Sequence, residues 1–144
     1  MIKIYTAGKM AGLTYKQQMG WREKLERLVR EKTDKPVTFI QPPKFYSYSY
    51  PTHKSEKEVM DWDLEHLKEC DIVAVNLEGI TESIGTHFEL ATANTINQTG
   101  HKHIYTIGFN KSDQNLHPWI ELSLHRYEET IEQAADYIAE YLMF

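Results

Sequence analysis

The fold is indicated most strongly by residues 71–77, which read DIVAVNL. A short and nearly continuous apolar run is typical of a parallel strand that is covered on both faces. Outward from this run, further strands are predicted at 2–6, 36–40 and 103–107, with a short edge strand near 125–127. Because the predicted strands alternate with longer segments of helical spacing, the sequence predicts an α/β fold.

Four helices are predicted, at 15–32, 55–70, 85–99 and 131–142. Apolar residues recur at helical spacing in the first and the last of them. The second of them begins at Ser55, and Glu58 three residues later predicts a capping box. We therefore predict one domain over residues 1–144, flavodoxin-like or Rossmann-like, with a mostly parallel sheet of about five strands flanked by helices.

The composition narrows the function classes. Of the 144 residues, 41% are hydrophobic and 26% charged, which is ordinary for a globular protein. Sixteen Lys and Arg against 21 Asp and Glu give a net charge of −5, which argues against a nucleic-acid partner. The single Cys70 excludes an internal disulfide and a cysteine-based zinc site. Without an apolar run of ~20 residues or a leader segment, no membrane partner is predicted and the expected location is the cytoplasm.

Ligands of parallel sheets bind beyond the carboxyl ends of the strands, so the loops after Tyr5 and after Asn76 are the expected site. The first of these loops contains Gly8, Lys9 and Gly12. It matches neither a Walker A loop nor a dinucleotide-binding loop. Its glycines would let backbone N–H groups approach a ligand and Lys9 would add a cation; the alternative is an ordinary tight turn.

Glu89 is predicted in the first turn of the helix at 85–99, close to the strand ends. The positive end of a helix favours an ionised carboxylate, and a fixed carboxylate is suited to act as a covalent nucleophile. The alternative is structural, since Thr86 and Glu89 have the spacing of a capping box.

Asp63 lies in the middle of a predicted helix, where Asp has poor propensity, and shares a face with His66. Such an Asp could bind or protonate a heterocycle at the strand ends. The alternative is a solvated surface residue.

Histidines and tyrosines give weaker signals. His101 and His103 stand two residues apart, but His101 follows a glycine and is predicted to be an exposed turn residue, so neither a metal site nor a cofactor is predicted. Three tyrosines of one loop either stack a base or pack the loop: Tyr46, Tyr48 and Tyr50.

Three stretches together carry a family resemblance. Residues 3–8 read KIYTAG, residues 63–75 read DLEHLKECDIVAV, and residues 83–93 read SIGTHFELATA. The second is similar to the family pattern D-L-x-x-L-x-x-A-D-x-V-V-A and the third to S/D-x-G-x-x-x-E-L-G-x-A. Over nearly its whole length the chain resembles the nucleoside 2-deoxyribosyltransferase superfamily, which includes deoxynucleoside 5′-monophosphate N-glycosidases.

The resemblance implies three catalytic roles. Glu89 matches the nucleophile that attacks the anomeric carbon and forms a glycosyl ester. Tyr5 matches the tyrosine that orients this carboxylate. Asp63 matches the acid that hydrogen-bonds and helps to protonate the leaving base.

The resemblance also implies a substrate-binding set. Ser83 and Gly85 match the loop around the 5′ side of the sugar, with Gly8 and Lys9 opposite. His117 is the nearest match to a residue that some members take from a neighbouring subunit. A homo-oligomer is therefore expected, and the region of Trp119 and the C-terminal helix offers apolar surface for it.

The implied activity is cleavage of the N-glycosidic bond of a 2′-deoxynucleoside and transfer of the deoxyribose to another base. The alternative is hydrolysis of a deoxynucleoside 5′-monophosphate. The neutral Ser83 favours it. The negative charges of Glu78 and Glu82 oppose it, and so does the first loop, which lacks the arginine found in the phosphate-specific branch of the family. A non-catalytic nucleotide-binding module is a further alternative, because Ala91 replaces a family glycine. Small-molecule nucleosides, nucleotides and bases are the expected ligands, and the sequence leaves purine and pyrimidine bases open as alternatives.

Overall fold

Five parallel strands form one sheet in the computed structural model, which describes residues 1–45, 53–111 and 115–142. The strands are β1 (Ile2–Ala7), β2 (Val37–Ile40), β3 (Ile72–Asn76), β4 (Tyr105–Phe109) and β5 (Arg126–Tyr127). Their order is β2-β1-β3-β4-β5, and every neighbouring pair is parallel. The prediction of an α/β fold with a parallel sheet of five strands is confirmed.

Helices cover both faces of this sheet. They are α1 (Tyr15–Lys32), α2 (Glu56–Lys68), α3 (Ile84–Thr99), α4 (Pro118–Leu122) and α5 (Ile131–Tyr137), which continues as a π-helical turn over Ile138–Leu142. The sequence analysis did not predict α4. No helix in the described part of the chain is long and apolar enough to cross a membrane.

Alternating strand residues divide the core into two layers. Ile72 and Ala74 face the layer that contains α1 and α5, whereas Val73 and Val75 face the layer that contains α2 and α3. All five residues of β3 are buried, as the apolar run predicted. A strand with both faces covered gains stability from apolar contacts on each side.

The predicted capping box of α2 forms only in part. The Ser55 hydroxyl accepts a hydrogen bond from the backbone N–H of Glu58 at 3.2 Å, as expected. The Glu58 carboxylate, however, accepts its bond from the backbone N–H of Lys54 at 2.7 Å rather than from that of Ser55. The helix start is therefore stabilised by a bond one residue earlier than the motif requires.

The direction of winding changes between β1 and β3. From β1 the chain passes to β2 on one side, while β3, β4 and β5 follow on the other side. This is a topological switch point, where open α/β sheets bind their ligands. Gly8 lies directly at it: a Cβ there would be 2.7 Å from Trp21 Cζ2 and 3.3 Å from Asn76 Cβ. A larger residue would not fit without movement of its neighbours.

Candidate active site

The three residues predicted to be catalytic meet on the side of the sheet covered by α2 and α3. Tyr5 comes from β1, Asp63 from α2 and Glu89 from α3. The Tyr5 hydroxyl hydrogen-bonds to the Glu89 carboxyl group, and the charge of Asp63 acts on the same group. Residues separated by up to 84 positions in the sequence thus form one cluster beside the switch point.

Burial dominates the electrostatics of Glu89. It raises the pKa of the carboxyl to about 8; the negative charge of Asp63 acts in the same direction, whereas the Tyr5 hydrogen bond and the charge of Arg22 lower the pKa. Burial therefore opposes the ionised form that the helix N-terminus was expected to favour, and the expected position of Glu89 in the first turn is wrong. Glu89 is the sixth residue of α3, and the helix-dipole effect falls off within the first turn.

The alternative role of Glu89 as a helix cap is also wrong. Helix α3 is preceded by Ser83 as its N-cap residue, so Thr86 lies inside the helix rather than before it. The Thr86 hydroxyl is 2.6 Å from the Ser83 hydroxyl and forms a hydrogen bond with it. The side chain of Glu89 is directed to Tyr5 instead of to the helix start.

Asp63 does not lie on an open surface, and an aromatic stack stands next to it in α2. It is half-buried, and its Oδ1 atom is inaccessible to solvent. The neighbouring Trp62 has its ring centroid 3.7 Å from that of His66 and 4.3 Å from that of Phe45. Since His66 Nδ1 also lies 2.8 Å from the Trp62 carbonyl oxygen, His66 packs on the helix instead of joining the carboxylates.

The predicted substrate-binding loops face each other at the carboxyl edge of the sheet. Lys9 Nζ forms an ion pair with Glu82 Oε2 at 2.7 Å, which lowers the pKa of Glu82. Ser83 is buried and Gly85 exposed at the start of α3. Lys9 thus contacts the residue next to Ser83, and the acidic neighbour offsets its charge.

His117 lies apart from this cluster. It is the N-cap residue of α4, and its Nδ1 atom accepts a hydrogen bond from the backbone N–H of Trp119 at 3.1 Å. It lines a cavity of about 740 Å³ between α3 and α4, which Tyr5, Asp63 and Glu89 do not line. Within one chain, His117 is not brought together with the other predicted site residues.

Arg22 belongs to the site but was missed by the sequence analysis. Its side chain is fully buried at the switch point, and its charge acts on Glu89. One signal in the sequence could have indicated Arg22. Leu25 and Val29 follow it by three and seven residues, so Arg22 lies on the apolar face of the predicted helix. A charged residue on such a stripe must have polar partners when it is buried.

Among the described residues, the remaining histidines add no site residue. In residues 1–45, 53–111 and 115–142, no group of three or more His, Cys, Asp or Glu side chains could hold a metal ion. His103 contacts the rings of Tyr105 and His125 at centroid distances of 4.3 and 4.9 Å. Three predicted base-stacking residues lie outside the described residues: Tyr46, Tyr48 and Tyr50.

Known proteins resemble the chain in sequence profile and in fold. The profile of the family described as "Nucleoside 2-deoxyribosyltransferase like" matches residues 1–106. A search of curated proteins found no match. Solved structures give the same fold over nearly the full chain.

One similar structure is a 2-deoxyribosyltransferase from the psychrotolerant bacterium Bacillus psychrosaccharolyticus: 23% identity, TM-score 0.68, covering 94% of this chain and 91% of that chain. A second is a conserved protein from Enterococcus faecalis V583: 16% identity, TM-score 0.74, covering 99% of each chain. A third is a 2-desoxiribosyltransferase from Leishmania mexicana: 17% identity, TM-score 0.57, covering 98% of this chain and 99% of that chain.

Proposed function

Because the chain belongs to the nucleoside 2-deoxyribosyltransferase-like family, we propose that it cleaves the N-glycosidic bond of 2′-deoxynucleosides and transfers the deoxyribose to another nucleobase. The observation that carries this proposal is that the carboxyl of the half-buried Glu89 accepts a hydrogen bond from Tyr5 and lies within the electrostatic influence of Asp63. Two of the similar structures are named as deoxyribosyltransferases, which supports the same activity here.

The proposed chemistry uses the two carboxyl groups in different roles. As the bond between the anomeric carbon and the base nitrogen breaks, positive charge develops on the sugar, and an oxygen of Glu89 bonds to the anomeric carbon. Asp63 gives its proton to the departing base. In the second step a nitrogen of the acceptor base attacks the same carbon, the ester bond breaks, and the proton of the acceptor returns to Asp63.

The Glu89–Asp63 pair holds one proton near neutral pH in this mechanism. In the protein without substrate, burial favours that proton on Glu89. The positive charge that develops on the sugar favours the ionised Glu89, so the proton is on Asp63 when the base departs. Tyr5 donates its hydroxyl hydrogen to the Glu89 oxygen and thereby fixes the direction of attack. The macroscopic pKa values then belong to the pair rather than to either residue.

The first test is product analysis. The protein is incubated with a panel of deoxynucleosides and their 5′-monophosphates, each with and without a second base, and the products are separated by chromatography. We expect a new deoxynucleoside only when a second base is present. Release of base and free sugar from every substrate would identify a hydrolase, and no release from any substrate would identify a non-catalytic binding module.

The pH dependence of kcat/KM is expected to fall on the alkaline side with a pKa of about 8. Loss of the last proton from the Glu89–Asp63 pair leaves no acid for the departing base, so activity decreases above this pH. Steady-state kinetics across the alkaline range measure this limb. A rate that keeps rising well above pH 8 would contradict the shared proton.

The second candidate function is hydrolysis of deoxynucleoside 5′-monophosphates. It is favoured by Ser83, a neutral residue at the N-terminus of the 16-residue helix α3, where an anion would be stabilised. It is opposed by the Lys9–Glu82 ion pair, because Glu82 places a negative charge at the same edge.

The Ser83→Asp variant distinguishes these substrates. If a phosphate lies beside Ser83, the added charge is expected to raise KM for the monophosphate far more than KM for the nucleoside, since like charges repel in a partly dry pocket. Glu82→Gln is the opposite change and is expected to lower KM for the monophosphate. Equal changes in KM for the two substrates would show that no phosphate binds beside Ser83.

We also propose a homo-oligomer formed through the α3–α4 face, defined by the exposed Ile84 and Phe88 of α3 and the exposed Trp119 and Leu122 of α4. Trp119 and Leu122 also line the cavity that His117 lines. Trp119 and Leu122 are 77% and 80% exposed, and apolar surface of this kind is typical of protein interfaces. In the C-terminal helix, Ile131, Ala134, Ala135 and Ile138 pack into the core of their own chain, which favours the α3–α4 face as the interface.

Light scattering at micromolar concentration is expected to give at least the mass of a dimer. Trp119→Glu is expected to shift it to the monomer, because a charge would be buried at the interface. Tyr141→Glu is the matched control, since Tyr141 is also exposed but lies on the C-terminal helix. A monomeric wild-type protein would contradict the proposal.

A further inference from the structure

Arg22 is a fully buried cation with several partners at the end of β1. Its Nε atom donates to the Thr6 hydroxyl oxygen at 3.2 Å, and its two terminal nitrogens donate to the carbonyl oxygens of Gln18 and Gly8. Thr6 in turn donates to Gln41 Oε1. Since an arginine remains charged in proteins, this position holds a permanent positive charge away from water.

Two neighbouring side chains of α1, Trp21 and Arg22, contact the loop at Gly8. The Gly8 carbonyl oxygen accepts from Arg22 at 3.4 Å, and the Trp21 ring lies so close to the Gly8 Cα that a Cβ would approach it to 2.7 Å. The Arg22 guanidinium carbon stands 4.3 Å from the centroid of the Trp21 ring. Arg22 and Trp21 therefore pack against the backbone of the proposed sugar-binding loop.

The charge of Arg22 also reaches the carboxyl pair. Three elements contribute a group that acts on Glu89: β1 the Tyr5 hydrogen bond, α2 the charge of Asp63 and α1 the charge of Arg22, which has the weakest effect of the three. Tyr5 is a neutral donor and Asp63 is an anion, so Arg22 supplies the positive charge of this set. Arg22 lies on the α1 side of the sheet, next to Thr6 at the end of β1, so its charge acts on Glu89 across this end of the strand.

We propose that Arg22 is a positioning residue of this site: it fixes the loop at Gly8 and supplies the counter-charge for the Glu89–Asp63 pair. Its function in deoxyribosyl transfer rests on the proposed function above, whereas its electrostatic effect on Glu89 does not. A buried arginine retained only for packing would influence stability without selectively influencing the protonation of Glu89.

Variants at two positions separate charge from packing. Arg22→Met removes both the charge and the hydrogen bonds, and Arg22→Lys keeps the charge but loses the planar fork. Thr6→Val is the matched control, because it removes the hydrogen-bond partner of the Arg22 Nε atom while the charge stays in place. Arg22→Gln is a second neutral variant that serves if Arg22→Met does not fold.

The experiment is a carbon-13 NMR titration of the Glu89 side-chain carboxyl in the full chain, with Glu89→Gln to assign its resonance. We expect the pKa of Glu89 to rise in the neutral Arg22 variants, because an opposite charge has been removed. We expect little change in Arg22→Lys and in Thr6→Val. The Gly8 amide resonance is expected to move in all three Arg22 variants.

An unchanged Glu89 pKa in both neutral Arg22 variants would overturn the proposal. So would an equal rise in Thr6→Val, because the effect would then come from disturbed packing. The titration needs no substrate and no turnover. Failure of the proposed activity would therefore appear in the product assay alone, and failure of the Arg22 proposal in the titration alone.

Discussion

Glu89→Ala is expected to reduce base release by several orders of magnitude and to leave the fold intact. The variant loses the carboxylate that bonds to the anomeric carbon, and no other group of the cluster is placed to replace it in the proposed mechanism. Release of base from the best substrate of the wild-type protein measures the effect, with circular dichroism as the control for folding. Retention of more than about a tenth of the wild-type kcat/KM would show that Glu89 is not the nucleophile.

The isosteric Glu89→Gln variant tests whether burial raises the pKa of Glu89, through the pH dependence of stability and without any measurement of activity. The pKa of Glu89 is about 8 in the folded chain against an ordinary value of 4.5, so the folded state binds more protons between these values. By linkage, the free energy of unfolding of the wild-type protein falls as the pH rises through this window. The glutamine side chain does not titrate. The free energy of unfolding of Glu89→Gln relative to that of the wild type is therefore expected to increase between about pH 5 and about pH 9.

Asp63→Asn is expected to lower kcat by about 10²–10⁴-fold, the usual contribution of a general acid. The loss is expected to be largest for bases that leave poorly without a proton and smallest for bases that leave easily as anions. Asp61→Asn is the matched control, since Asp61 lies on the same helix but is exposed and paired with Lys57. An equal loss for all leaving bases would show that Asp63 binds or orients the substrate without giving it a proton.

The sheet was predictable because its signals are local. The run at 71–77 has apolar residues on both faces, so it could only be a covered strand, and β3 is buried throughout. Helix ends were less predictable, because they depend on single hydrogen bonds. The N-cap of α3 is Ser83 rather than Thr86 of the predicted capping box, and this displacement by three residues moves Glu89 from the first turn to the second.

The convergence of Tyr5, Asp63 and Glu89 was predictable from the family motifs, but their electrostatics were not. The pKa of Glu89 depends on burial by elements far away in the sequence, and a helix-dipole argument from the local sequence gives the opposite direction. Arg22 was overlooked because no short motif contains it. Its importance follows from the three-dimensional contact between α1, the end of β1 and Gly8.

His117 shows a different limit of sequence reasoning. Its place before Pro118 matched a family position, but the fold puts it at the cavity between α3 and α4. Contact between His117 and Glu89 therefore requires a second copy of the chain, which a single sequence does not describe. The oligomeric mass decides whether such a contact can form.

Mass spectrometry of the protein quenched with acid during turnover tests the covalent role of Glu89 most directly. The protein is mixed with excess deoxynucleoside without an acceptor base, quenched within the first turnovers and digested. The account predicts a mass increase of one deoxyribosyl unit on the peptide that contains Glu89, and its absence in Glu89→Gln. A wild-type protein that releases base while this peptide remains unmodified, or that carries the sugar on another residue, would contradict it.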